Sequence, residues 1–409
     1  MGFIDCDSHV IETEETWSYL AESERRFEPV RARIPQGNTG AVERALAPQM
    51  DLWMIGDTWC TAIPLDGSSR GNGNRFADGT GTLSSIPNRI EDLDGLGIDA
   101  QLVLSSFFIG IELDNGAADV AIARAYNRWV ADRLGNSQHG GRLQWAIRPP
   151  MRSIPHAIDE LKFGKEHGAV GAQLRGIECG LYLSDPYFFP FYEAANDLEM
   201  VIVVHVGEAL RRIDHQMIGR VVPSPASMTR QLFPLMAGFH AILASDFEKR
   251  FPKIKWAFVE GGASWVPTVL QTDARLDASG GDFLNPRPAG PEVLEEKQMF
   301  VAAFADDPLD YLINIVGENV LVAGTDYCHN DLGSEVGSHT AILGRKDLPS
   351  GVAQKIVSTN PRRLLGIAED FLPARTGTGG PPHIHGASTA DGSPILYHRQ
   401  FAMASNAGA

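Results

Sequence analysis

The chain has 409 residues, 44% hydrophobic and 21% charged, which is ample for one large core and ordinary for a soluble enzyme. Its formal net charge of −16 and pI near 5.2 argue against nucleic acid or anionic membrane as a partner, because both are bound through clustered Lys and Arg. No apolar run approaches the ~18–20 residues of a transmembrane span. The first residues enter a strand pattern with no signal-peptide core, and Cys6, Cys60, Cys179 and Cys328 lack CxxC spacing, so a reducing cytoplasm is the expected compartment.

Taken in order, Ile4-Asp5-Cys6-Asp7-Ser8-His9 reads as a first strand. Its period of two puts Asp7 and His9 on one face. From about Thr13 to Ser84 the pattern is irregular. Within it Asp51–Pro64 reads as a hairpin about Gly56-Asp57, followed by a polar Gly/Asn/Ser stretch, Gly67–Gly81. An insertion of this length after a first strand is a candidate lid over a barrel mouth, a solvated loop or a subunit contact. Seven more apolar runs follow at Ala100–Ser105, Leu143–Ile147, Val170–Leu174, Val201–His205, Lys255–Val259, Met299–Ala303 and Val320–Ala323. Helical patterns alternate with them at Gly116–Leu134, Ile154–Glu166, Pro186–Leu198, Thr229–Phe251, Ser264–Leu276 and Pro308–Val316, with Gly168, Gly171 and Gly317 punctuating helix ends. Eight strands with intervening helices predict an α/β fold, a (β/α)8 barrel over residues 1–372. The tail from 373 to 409 is rich in Gly, Pro, Ser and Ala. It is expected to wrap a neighbouring subunit or to lack structure of its own. His383 and His385 form an HxH there, read as chance or a subunit contact before a metal site.

Strand ends in a parallel barrel meet at one face, so donors placed there converge. Asp7, His9, His205 and Asp326 are such donors, and a nitrogen/oxygen set of this kind suits zinc, manganese or iron. His205 alone would read as a satisfied core histidine; beside Asp-x-His and Asp326 it reads as a ligand.

These residues also carry a resemblance. Asp7-Ser8-His9, Arg89-Ile90-Glu91-Asp92-Leu93 leading into Gly97-Ile98-Asp99, His205-Val206-Gly207, Arg250-Phe251-Pro252 with Glu260-Gly261-Gly262, Gly324-Thr325-Asp326-Tyr327 and Asn360-Pro361-Arg362-Arg363-Leu364-Leu365 follow one another at barrel spacing. The chain resembles the amidohydrolase superfamily up to about Gly366, in particular the branch holding aminocarboxymuconate semialdehyde, dihydroxybenzoate and carboxyvanillate decarboxylases. The resemblance implies a divalent metal, zinc first, held by Asp7, His9, His205 and Asp326, and Lewis-acid chemistry on a small carboxylate-bearing substrate.

The chain departs from those decarboxylases in one place. Where they carry an acid/base histidine after the sixth strand, this chain has Glu260. Glu260 is therefore a candidate ligand, an acid/base or a cap for the following helix. With His329 and His240 it could furnish a second metal, as in a small group of the family that includes the 2-aminoisobutyrate hydroxylase. This leaves three functions open. They are a metal-dependent hydrolase or decarboxylase, an O2-dependent hydroxylase with a dinuclear iron or manganese centre, and a metal-retaining non-catalytic subunit beside a paralogous partner. Homo- or hetero-oligomers are expected. Glu260, Asp326 and His240 are the candidate catalytic residues. Arg175, after the fourth strand, is a candidate carboxylate clamp or half of a structural ion pair. Phe107 and Phe108 are candidate pocket walls.

Overall fold

The computed structural model describes residues 2–34, 50–62, 79–135, 138–207, 228, 232–278, 290–329 and 334–375. The tail beyond 375, with His383 and His385, and much of the polar stretch at 67–81 lie outside the described residues.

Strand β1 (Phe3–Val10) is followed by an inserted antiparallel sheet of β2 (Val30–Ile34), β3 (Met50–Ile55) and β4 (Thr58–Ala62). The predicted hairpin is β3–β4, turned at Gly56 with φ +59°, a left-handed position that suits glycine. The third strand, β2, had no signal of its own in the sequence. Then come β5 (Ile98–Ser105), β6 (Leu143–Ile147), β7 (Gly171–Arg175), a short hairpin β8 (Ile177–Glu178) and β9 (Leu181–Tyr182), β10 (Val201–His205), β11 (Trp256–Val259), β12 (Met299–Ala302) and β13 (Leu321–Val322). The main sheet has eight strands in the order β1-β5-β6-β7-β10-β11-β12-β13, every described pairing parallel.

The seam between last and first strands is closed by backbone bonds. Cys6 N–H donates to Ala323 O (3.0 Å), His9 N–H to Tyr327 O (2.9 Å) and Asp326 N–H to Asp7 O (2.8 Å). Gly324 makes this approach possible, since a Cβ there would lie 2.4 Å from Asp7 Cβ. Gly324→Ala is accordingly expected to cost about 1–3 kcal/mol through overpacking, read by denaturant melts; unchanged stability would mean the seam gives way easily.

Helices form where their caps allow. Asn115 Oδ1 accepts from Ala117 and Ala118 N–H and starts the Gly116–Leu134 helix. The single helix expected over Thr229–Phe251 is two, Phe233–Leu243 and Phe247–Arg250, with Pro234 in the first turn where its missing N–H costs nothing. Gly168 and Gly317, both at φ +84°, end helices as expected. Gly171 instead opens β7, where a Cβ would lie 2.5 Å from Val201 O of the neighbouring strand. Inside the barrel Ile4, Cys6, Leu102, Val203 and Val322 pack together, and Leu364 and Leu365 of the Asn360–Leu365 helix close its N-terminal end. The inserted sheet is anchored by Trp53, which meets Trp17 edge-on at 5.9 Å and Phe107, just past β5, at 6.4 Å. Among the described residues no helix is long and apolar enough to cross a membrane.

Candidate metal centre

Plain alternation would not bring Asp7 and His9 to the barrel mouth. Ile4 and Cys6 face the interior, so alternation would send Ser8 and Val10 after them. Between Asp5 and Ser8 the register slips: β1 advances three residues while β5 advances two, from Gln101 to Val103. This bulge re-aims the strand and turns Asp7 and His9 into the mouth. His205 ends β10. Glu260 and Asp326, beyond β11 and β13, have φ of +61° and +52°, and Cys328 has +84°. Left-handed backbone at a residue other than glycine costs roughly 1–3 kcal/mol and collects at functional sites.

The donors meet. Asp7 Oδ1 lies 3.2 Å from His9 Nε2 and 3.5 Å from His205 Nε2; His205 Nε2 lies 2.8 Å from Glu260 Oε2 and 3.2 Å from His9 Nε2. A second group is His9, Glu260, Asp326 and His329, with His9 Nε2 3.3 Å from Asp326 Oδ1 and His329 Nδ1 2.6 Å from the same oxygen. In each group the donor atoms lie within 4.8 Å of one another. The expected set of four is thus split across two overlapping groups that share His9 and Glu260.

A divalent ion fits this arrangement. An ion about 2.0–2.2 Å from each donor holds neighbouring donors about 3.0–3.4 Å apart. Asp7 Oδ1 is buried and has no hydrogen-bond partner among the described residues. His205 Nδ1 lies 2.7 Å from Val206 O, so its N–H donates there and Nε2 is left bare towards the group. Burial would raise Asp7, but the His205 and His9 imidazoles beside it outweigh that and hold the carboxylate ionised. Burial, with His329 beside it, holds His9 well below the usual histidine value and so neutral. Burial pushes His205 the same way, but the Glu260 and Asp7 carboxylates overrule it and draw a positive charge to that point.

Two supporting groups were not among the candidate site residues, although Arg89, Asp92, Thr325 and Tyr327 lie in the motifs that carry the resemblance. Asp5 Oδ1 accepts from Thr325 N–H (2.9 Å), and Oδ2 accepts from the Thr325 hydroxyl (2.6 Å) and Gln101 (2.9 Å), tying β1 to the Asp326 loop. Arg89, fully buried, donates to His9 O (2.8 Å) and the Ser8 hydroxyl (3.1 Å) and lies over the Tyr327 ring; the Tyr327 hydroxyl donates to Asp92. The Arg89…Asp92 spacing is one helical turn, which is why both residues reach this seam.

Other candidates fall elsewhere. His240 does not join the site. It sits half-buried on an outer helix, with Nε2 3.2 Å from Asp273 Oδ1. Arg175 takes the structural one of its two roles: its Nη2 donates to Glu178 (2.7 Å) and its Nη1 to Ile111 O (2.6 Å). Phe107 and Phe108 are buried, Phe107 against Trp17 at 4.8 Å and Phe108 against Tyr126 at 5.7 Å, so they brace the loop after β5. Asp307, from the neighbouring loop, accepts the Ala263 N–H (2.8 Å) in the turn ahead of the Val266–Ala278 helix.

The chain is 25% identical over 182 residues to the 2-amino-3-carboxymuconate-6-semialdehyde decarboxylase of Dictyostelium discoideum. That match covers 44% of this chain and 49% of the relative, about half its length. Among solved structures, an amidohydrolase from Mycobacterium avium subsp. paratuberculosis K-10 superposes with a TM-score of 0.69 at 17% identity, covering 90% of this chain and 98% of that one. A dihydroxybenzoic acid decarboxylase from Polaromonas sp. JS666, solved with bound manganese and the inhibitor 2-nitroresorcinol, superposes at 0.59 and 16% identity, covering 89% and 97%. At these identities both structures speak for the barrel alone. The amidohydrolase family model matches residues 4–367, which takes in every donor described above, and the chain belongs to that family.

Proposed function

We propose that the chain is a metal-dependent decarboxylase or hydrolase acting on a small carboxylate-bearing compound. The observation that carries this is the buried convergence of Asp7, His9, His205 and Glu260 at the mouth of an amidohydrolase-family barrel. The names of its relatives support it: one decarboxylates a carboxylated semialdehyde, and another, a dihydroxybenzoic acid decarboxylase, held manganese. Asp7, His9 and His205 would hold the ion, with Glu260 and Asp326 completing its surroundings. When bound there, the ion would supply Lewis acidity towards substrate oxygens beside the carboxylate. Arg175 is spent on Glu178, so the substrate carboxylate is bound elsewhere in the mouth. Glu260 and Asp326 are the carboxylates placed to hold or pass a proton there, while His240 is too peripheral to take part.

Chelation followed by readdition of Mn2+ or Zn2+ tests this. CO2 release or hydrolysis should vanish and return across a panel of small carboxylated aromatics and semialdehydes. Turnover that survives complete metal removal would sink the proposal.

The second donor group leaves room for a second reading, an O2-dependent hydroxylase with a dinuclear iron or manganese centre that the two overlapping groups, sharing His9 and Glu260, would hold. Two redox metals per chain, with O2 consumption, would select it over one metal and CO2 release.

A further inference from the structure

Ser106 stands one residue beyond β5, its Oγ 2.5 Å from Val10 O and 2.7 Å from His329 Nε2. A serine hydroxyl has one proton to give, and a carbonyl oxygen can only accept. Two oxygens 2.5 Å apart repel unless that proton lies between them, so Ser106 donates to Val10. It therefore meets His329 as an acceptor, and Nε2 must carry the hydrogen. In neutral His329 the bare nitrogen is then Nδ1, the atom 2.6 Å from Asp326 Oδ1. A bare nitrogen and a carboxylate oxygen at that separation need a positive charge beside them.

A proton on Nδ1 or a metal ion would supply it, and two observations favour the ion. Those two residues belong to the four-donor group with His9 and Glu260. Asp326 is also aimed from behind, since the Ser334 hydroxyl donates to its Oδ2 at 2.8 Å and turns Oδ1 to the group.

We propose that Ser106 is a positioning residue that locks His329 in its Nε2-protonated tautomer and thereby presents Nδ1, with Asp326 Oδ1, as a pair of metal donors. This rests on the metal-dependent reading above. Hydrogen-bonding partners of this kind set which imidazole nitrogen binds metal, and losing one typically costs about 10–100-fold in affinity.

The test uses the full-length protein. Ring-nitrogen NMR of the metal-free, 15N-histidine-labelled chain reads the ring hydrogens directly; hydrogen on His329 Nε2 is expected, with or without a second on Nδ1 in place of the ion, and hydrogen on Nδ1 alone would overturn the proposal. Equilibrium dialysis against Mn2+ and Zn2+ then reads affinity. Ser106→Ala should weaken binding about 10–100-fold, while Ser106→Thr, which keeps the hydroxyl, should restore it. Melting of the metal-free variants shows whether both remain folded. Wild-type affinity in a folded Ala variant, or no rescue by a folded Thr variant, would also overturn the assignment. A wild-type chain that binds neither ion would instead sink the metal-dependent reading and the donor role of Nδ1 with it. The NMR signals would still decide what Ser106 does to the ring.

Discussion

Glu260→Gln is expected to strip metal from the protein. Glu260 Oε2 lies 2.8 Å from His205 Nε2 and 3.8 Å from His9 Nε2 and belongs to both donor groups, so every ion at the mouth would feel its loss. A neutral amide is a poorer donor to a divalent cation than a carboxylate. The affinity loss should be no smaller than the about 10–100-fold seen for outer partners of metal ligands. Metal analysis after dialysis, paired with turnover, separates the roles. Low metal and low turnover mark a ligand. Full metal with no turnover marks an acid/base, because an amide cannot exchange a proton at neutral pH. Full metal with full turnover would remove Glu260 from the chemistry and leave a mononuclear site without it.

Glu178→Gln should be the most damaging single change to stability outside the metal centre. Glu178 is wholly buried and accepts a bidentate pair from Arg148 (2.7 and 3.0 Å) and further bonds from Arg175 N–H (2.8 Å) and Nη2 (2.7 Å). Removing the charge leaves two buried guanidiniums without their shared counter-ion, a loss of about 3–5 kcal/mol from a total near 5–15 kcal/mol. The pH dependence follows from the sign of the shift. Burial alone would raise Glu178, but Arg148 and Arg175 overrule it and hold the carboxyl well below its ordinary range. Its contribution is therefore complete above about pH 4.3, the unfolded value, and is lost as the pH falls through the depressed folded value. Urea melts at pH 7 should show the full gap between wild type and variant, and the gap should narrow in strong acid. Equal stability at pH 7 would mean the arginines find water or other acceptors when Glu178 goes.

Much of the barrel was legible because each buried strand is a short apolar run between helix-length patterns, and burial on both faces leaves little else for such runs to be. Leu143–Ile147 and Val201–His205 match the observed strands residue for residue, as do the Gly116–Leu134 and Ile154–Glu166 helices. The donors were legible for the same reason, since strand ends are where polar residues interrupt apolar runs. The bulge in β1 was not, because one extra residue leaves the composition of the run unchanged. His240 entered the reading only as an available imidazole in the helical run after β10, and its place on that helix keeps it from the site. Leu235, Phe239 and Ile242 do form the buried stripe of their helix, but the residue after Phe239 lies about 100° around the axis and reaches its edge. Ser106 and Asp5 act through hydrogen bonds to residues 223 and 320 positions away, a kind of information that no local pattern carries.

The seam that joins β1 to the Asp326 loop also sets when the centre is made. Asp5 and Thr325, its fasteners, are 320 residues apart, so during synthesis the first strand emerges long before its second neighbour exists. Until then β1 has one open edge, and His9 and Glu260 lack Asp326 and His329, the other half of the second donor group. Completion of the second donor group is thereby deferred to the last stage of folding, when the closing strand arrives, and a nascent chain stalled before that point carries both a bare sheet edge and a group short of Asp326 and His329. Ribosome-bound chains ending before Thr325 should be the ones that recruit chaperones, and added metal should not rescue them.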